Sequence, residues 1–221
     1  DKEFWIEGDP MASLKRLTDK YSKIFEQDIR KIGKDVDSIE FIKATDTIPG
    51  IIEIIQNLID KGIAYSAKDT IYFSVSKYIE SGYKYGLLQT VHNIDSRSRI
   101  NADEYEKSEA SDFALWKMVK DDEPCWEASF RIPGWGGLPR KDGRPGWHIE
   151  CSAMSQKLLG VPFDIHTGGI DLKFPHHENE IAQSCGASGS DHFANYFVHM
   201  NHILVDGRKM AKSAKNFYTL R

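Results

Sequence analysis

The stretch VPFDIHTGGIDLKFPHHENEIAQS, residues 161–184, constrains the fold more than any other part of the chain. Apolar residues alternate up to Gly168–Gly169, which predicts a strand and then a tight glycine loop. Pro175 suits the first position of a helix, and no further breaker follows it. Strand, glycine-rich loop and helix N-terminus in that order let backbone N–H groups approach a nucleotide in a doubly wound parallel sheet. An α/β fold is therefore expected.

The same stretch gathers groups that bind protons or metal. HHENE places two histidines and two glutamates in the five residues after Pro175. On a helix His176 and Glu180 stand four apart on one face, with Cβ atoms roughly 5–6 Å apart, so imidazole nitrogen and carboxylate oxygen can meet at one ion. His177 and Glu178 point away from that face. The alternative is a helix N-terminus carrying acids for its dipole and a His–Glu surface pair.

A third ligand is available upstream. In GWHIECSAMSQKLLG a helix is expected from about Ile149 to Leu159, closed by Gly160, and it carries Cys151. Thiolate, imidazole and carboxylate make a three-ligand zinc site with a fourth position for another residue or substrate. Cys151 as a small buried apolar residue is the competing reading.

The chain as a whole sets limits. Its 221 residues, 40% hydrophobic and 28% charged, suit a globular protein with a real core. A net charge of -4 argues against nonspecific nucleic-acid binding by charge, though a local basic patch remains compatible. The three cysteines, Cys125, Cys151 and Cys185, suggest no disulfide framework and fit a reducing cytoplasm; Cys125 and Cys185 read as structural. No apolar run approaches the ~18 residues of a membrane span. DKEFWIEGDP has neither an initiator Met nor a signal pattern, so the chain reads as an internal piece of something longer.

Three regions separate by composition. Residues 1–65 are mainly helical, with Leu14, Leu17, Tyr21 and Ile24/Phe25 forming one packing stripe and TIPGIIEIIQNLIDKGIAY repeating the pattern. Residues 66–145 hold short strands and then RIPGWGGLPRKDGRPGW, read as a surface connection or insertion. Residues 146–205 concentrate the reactive side chains, and 206–221 form a loop with Lys209 and Lys212 in RKMAKSAK. Ammonium groups on such a loop can stabilise phosphate charge during nucleotidyl transfer, although charge runs are usually solvated faces.

At this point three long motifs carry a resemblance. GRPGWHIECSAM, FDIHTGGIDLKFPHHENEIAQS and VDGRKMAKSAKNFYTLR resemble the cysteinyl-tRNA synthetases, a family of class I aminoacyl-tRNA synthetases, and KATDTIPGIIEIIQNLIDKGIAY extends the likeness over essentially the whole chain. The resemblance implies an incomplete Rossmann-like catalytic domain with a helical and β connective insertion. It implies ATP-dependent activation of L-cysteine to cysteinyl-adenylate and its transfer to tRNA(Cys), with Zn2+ recognising the thiolate and Mg2+ accompanying ATP. A cytoplasmic monomer without membrane contact is the expected setting.

Residue by residue, Cys151, His176 and Glu180 match three of the family's four zinc ligands. Trp147, His148 and His166 match the cysteine pocket, and Gly168, Gly169 and Asp171 match the adenylate site. Lys209 and Lys212 match the two signature lysines of the loop. Ala211 replaces the usual serine and Lys215 stands where the family commonly has glycine. His177 is expected behind the ligands, His199 and His202 near nucleotide or packed in a strand, and His92 and His192 have no assigned role. The fourth ligand, a cysteine ahead of a HIGH-type motif, and an anticodon domain are not among these residues, so full aminoacylation by them alone is not expected. A cysteine ligase with an amino-sugar acceptor and a non-catalytic zinc-binding module derived from a synthetase stay open as alternatives.

Overall fold

The structure is a computed structural model that describes residues 2–68, 70–89, 93–100, 109–134 and 142–220. In chain order its elements are α1 (Pro10–Lys31), α2 (Ile48–Asp60), β1 (Ala64–Ala67), β2 (Thr70–Phe73), α3 (Val75–Glu80), β3 (Asn93–Ile100) and β4 (Glu109–Met118). There follow β5 (Gly143–Pro145), α4 (Trp147–Leu159), β6 (Phe163–Gly169), α5 (Glu178–Ser188), β7 (Ala194–Met200), β8 (Leu204–Val205) and β9 (Arg208–Lys209). They form two compact units, Asp1–Ile42 with Lys120–Cys125 and Asn201–Arg221, and Lys43–Val119 with Trp126–Met200. Among the described residues no helix is long and apolar enough to cross a membrane.

In the first unit α1 begins where Asp9 caps it, its carboxylate accepting the Ala12 N–H at 2.9 Å, with Pro10 at the first helical position. Arg30 and Lys31 in its last turn oppose the helix dipole favourably. The expected stripe on α1 is only partly covered: Leu14, Leu17 and Ile24 are half-buried, while Tyr21 and Phe25 are exposed.

The second unit holds the main core. α2 buries Ile51, Ile54, Ile55, Leu58 and Ile59 completely or nearly so, as an apolar stripe at helical spacing requires. They share one cluster with Ile71, Phe73, Phe113, Leu115 and Trp116, residues of a mixed sheet ordered β1–β2–β4–β3 with β5 also on β4. Phe73 and Phe113 stack across β2 and β4 with ring centroids 4.8 Å apart. A second, smaller sheet pairs β6 with β7 in parallel from Phe163↔Ala194 to Gly169↔Met200. Parallel neighbours need a crossover, and α5 supplies it, so β6–α5–β7 is one βαβ unit and the expected α/β class holds.

The helix expected from near Pro175 is present: Phe174 has extended backbone (φ -140°, ψ 135°), and after it a π-type turn runs on through His177 into α5 at Glu178. Two local expectations are corrected. Gly168 and Gly169 are the last residues of β6, paired with His199 and Met200, and do not form a loop after the strand. In RIPGWGGLPRKDGRPGW, residues 135–141 lie outside the described residues, but Gly143–Pro145 is a strand whose Gly143 and Pro145 are buried against β4, so this end is no surface connection.

Gly146 shows why that segment needs glycine. Its N–H donates to the Leu115 carbonyl at 2.9 Å, and a Cβ at this position would lie 2.1 Å from the Ala114 carbonyl oxygen. Backbone so close to backbone cannot yield as a flexible side chain would, and the contact fixes where α4 begins. Gly146→Ala is expected to destabilise the fold by about 3 kcal/mol, as overpacking of a rigid contact does. Urea denaturation measures this, and a loss below about 1 kcal/mol would mean that the backbone moves apart easily.

Candidate metal and substrate site

Two helices bring the reactive groups together. α4 opens with Trp147 and His148 and carries Cys151 one turn later, while the turn before α5 and its first residues supply His176, His177 and Glu180. α4 starts at Trp147, two residues earlier than the sequence suggested, and ends at Gly160 as expected. α5 is unusual in being polar and entirely buried from Glu178 to Ala187. Buried polar groups need partners, and one such pair joins the two helices: Ser152 Oγ donates to Gln183 Oε1 at 2.8 Å, which ties the helix of Cys151 to that of Glu180.

Glu180 lies at the centre and is fully buried. Its Oε1 is 2.7 Å from His176 Nε2 and its Oε2 is 2.7 Å from His166 Nε2. These are ion-pair distances, yet neither carboxylate oxygen has a partner in hydrogen-bonding geometry among the described residues. Cys151, His176 and Glu180 each bring a ligand atom to within 4.8 Å of the other two, and His166, His177 and Glu180 do the same. The helical spacing of His176 and Glu180 therefore does bring them together, despite the turn that precedes α5.

The pocket is built so that its neutral groups stay neutral. Burial would by itself disfavour charge on Glu180, but contacts with His166 and His176 outweigh it and hold the carboxyl at about 2. Burial, reinforced by His176, pushes His148 down to about 3. Burial also lowers His177 to about 4. The Cys151 thiol is pushed up to about 12 by burial, with Glu180 and Glu150 adding to the effect. One carboxylate, an imidazole and a thiol that keeps its proton without a cation form a donor set suited to a soft metal ion.

Around this trio His148 Nδ1 sits 2.8 Å from His176 Nδ1, and the Trp147 ring lies 4.2 Å from that of His176. His177 turns away from His176 as expected, but into a second cluster: its Nδ1 is 2.9 Å from His199 Nε2 and its ring is 4.3 Å from His166. Gly168 makes room for it, since a Cβ there would lie 2.7 Å from His177 Cε1. Asp171 is exposed beyond the strand, and His192 is exposed as well. His92 lies outside the described residues. Cys185 is buried and Cys125 half-buried.

The lysine loop belongs to the first unit. Lys209 ends a hairpin in which β8 and β9 pair across Asp206 (φ 50°) and Gly207 (φ 72°), a two-residue turn of the Asp-Gly kind. Beyond it, Asn216 accepts the Ala211 N–H at 2.9 Å and donates to the Lys209 carbonyl at 3.1 Å, bracing the segment between the lysines. Lys209 and Lys212 are both exposed. The loop expected over 206–221 thus begins inside a hairpin, for which Asp-Gly between Val205 and Arg208 is the sequence signal.

The family described as tRNA synthetases class I (C) catalytic domain matches residues 6–221. The chain belongs to this family, that of the cysteinyl-tRNA synthetases. It is 47% identical over 211 residues to a cysteine–tRNA ligase of Fusobacterium nucleatum, covering 95% of this chain and 42% of the relative. It is 46% identical over 215 residues to one of Halorhodospira halophila (97% and 43%), and 44% identical over 208 residues to one of Methanococcus vannielii (93% and 40%). The chain thus spans less than half the length of the curated relatives it matches.

Lys215 holds φ 53°, the left-handed region that glycine occupies freely and a lysine does not. Lys215→Gly is expected to stabilise the braced turn by about 0.5–1 kcal/mol. Hydrogen exchange at the Ala211 amide should then slow roughly two- to fivefold; faster exchange would show that chain entropy outweighs the relieved strain.

Proposed function

We propose that the protein carrying this chain is a cysteine–tRNA ligase. Its reaction would be attack of the cysteine carboxylate on the α-phosphorus of ATP, giving cysteinyl-adenylate and pyrophosphate, followed by transfer to the terminal ribose of tRNA(Cys). The convergence of Cys151, His176 and Glu180 to within 4.8 Å carries the reading, and among the described residues neither Glu180 oxygen has a partner in hydrogen-bonding geometry. Those three residues would hold Zn2+, and Mg2+ would accompany ATP. A cytoplasmic setting and a monomeric state belong to the same proposal.

The selectivity problem explains the donor set. Cysteine and serine are near-isosteres, and a shape-based pocket separates such pairs by only about a hundredfold. When bound, zinc supplies a soft Lewis acid that lowers the pKa of a thiol and favours its sulfur over an alcohol oxygen. His148 meets the far nitrogen of His176 and so orients that ring, as a partner behind a ligating histidine does. His166 holds the second Glu180 oxygen, leaving the first toward His176 and Cys151.

Trp147, half-exposed beside His176, would form a wall of the cysteine pocket. Gly168, Gly169 and Asp171, at and just beyond the end of β6, would face the adenylate. Lys209 and Lys212 would act as catalytic groups by neutralising phosphate charge as pyrophosphate leaves. Little covalent work then falls to the protein; alignment of carboxylate and phosphorus does most of it.

Metal analysis and ATP–pyrophosphate exchange on the full-length protein test this. The expected result is about one zinc per chain and a preference for L-cysteine over L-serine well beyond the hundredfold that shape allows. Cys151→Ala should lose both metal and that preference. Equal use of the two amino acids by the wild-type protein would refute the proposal.

A further inference from the structure

Glu178 stands between two of the proposed ligands in sequence and takes no part in their cluster. It is nonetheless fully buried, and its carboxylate accepts three consecutive backbone N–H groups from one loop. Oε1 takes those of Gly86 at 2.7 Å and Leu87 at 2.9 Å, and Oε2 takes that of Leu88 at 2.9 Å. The next residue, Asn179, accepts from the Tyr85 hydroxyl at 2.6 Å. Gly86 adopts φ 90°, the conformation that lets successive N–H groups converge on one anion.

We infer that Glu178 is a positioning residue: by anchoring the first turn of α5 to the Gly86–Leu88 loop, it sets the rotation of that helix and so the placement of Glu180 against His176 and Cys151. The inference rests on the metal-dependent reading above. Residues two apart on a helix point about 200° away from each other, so Glu178 grips α5 on the side opposite Glu180. A rotation of the helix by about 10° would move atoms roughly 6 Å from its axis by about 1 Å. Such a displacement is enough to spoil a ligand set.

The other end of α5 is held independently, by Lys61 Nζ donating to the Gly186 and Ala187 carbonyls at 2.9 and 2.8 Å. Glu178 therefore acts on the site end of the helix. Only a carboxylate fits its role. Glutamine has the same shape, but its amide would turn an N–H donor against at least one of the three loop N–H groups.

The test uses the full-length protein with Glu178→Gln, reading zinc affinity by competition with a chromophoric chelator and the KM values for L-cysteine and ATP separately. The expected result is zinc affinity weaker by about 10- to 100-fold, in the range seen when the support of a ligand is removed. The KM for cysteine should rise, and the KM for ATP should stay within about twofold because the nucleotide loop is carried elsewhere. Unchanged zinc affinity in a folded variant, or equal rises in both KM values, would overturn the inference. If the glutamine variant does not fold, Gly86→Ala disturbs the same cradle from the loop side and is read by the same criteria. A wild-type protein that binds no zinc would instead sink the metal-dependent reading itself, and this inference with it.

Discussion

A fully buried carboxylate between two imidazoles is the interaction on which the rest of this structure depends. Glu180 has no contact with water, and burial alone would favour its neutral form. His176 on one oxygen and His166 on the other reverse that preference. A charge in such a place is tolerated only when it is paired, and removing either imidazole would leave one oxygen without its contact. Much of the second unit's architecture serves to keep that charge in position.

The cost is visible in α5. A crossover helix in a βαβ unit would ordinarily bury an apolar face; this one buries Glu178, Asn179, Glu180, Gln183 and Ser184. Several of these find partners on other elements: Glu178 on the Gly86–Leu88 loop, Asn179 on Tyr85, Gln183 on Ser152. Each such bond adds little net stability, but leaving the group unpaired would cost about 1–3 kcal/mol. The helix is thus specified by polar complementarity, while the large apolar cluster around α2 and β4 supplies the driving force for folding.

The sequence made the core of the site legible because its signals were local. His176 and Glu180 are four apart, and that spacing survives even though the turn before α5 is not regular α-helix. The end of α4 at Gly160 was likewise readable from a local stop signal. What was missed depended on distant partners. The burial of Gly143–Pro145 against β4 does not follow from composition. His177 facing His166 and His199, and Glu178 facing a loop about ninety residues earlier, follow from packing and have no sequence period. Gly168 looked like a loop residue because glycine signals a turn more often than space for an imidazole.

The central claim is that sulfur, nitrogen and oxygen from two helices hold a soft cation that reads an amino acid by its thiol. Optical titration of the full-length protein with Co2+ in place of zinc tests it most directly. The account predicts a near-ultraviolet sulfur-to-cobalt absorption that is lost on changing Cys151, grows when L-cysteine is added and does not respond to L-serine. A spectrum without thiolate character, or one that changes alike with both amino acids, would contradict it.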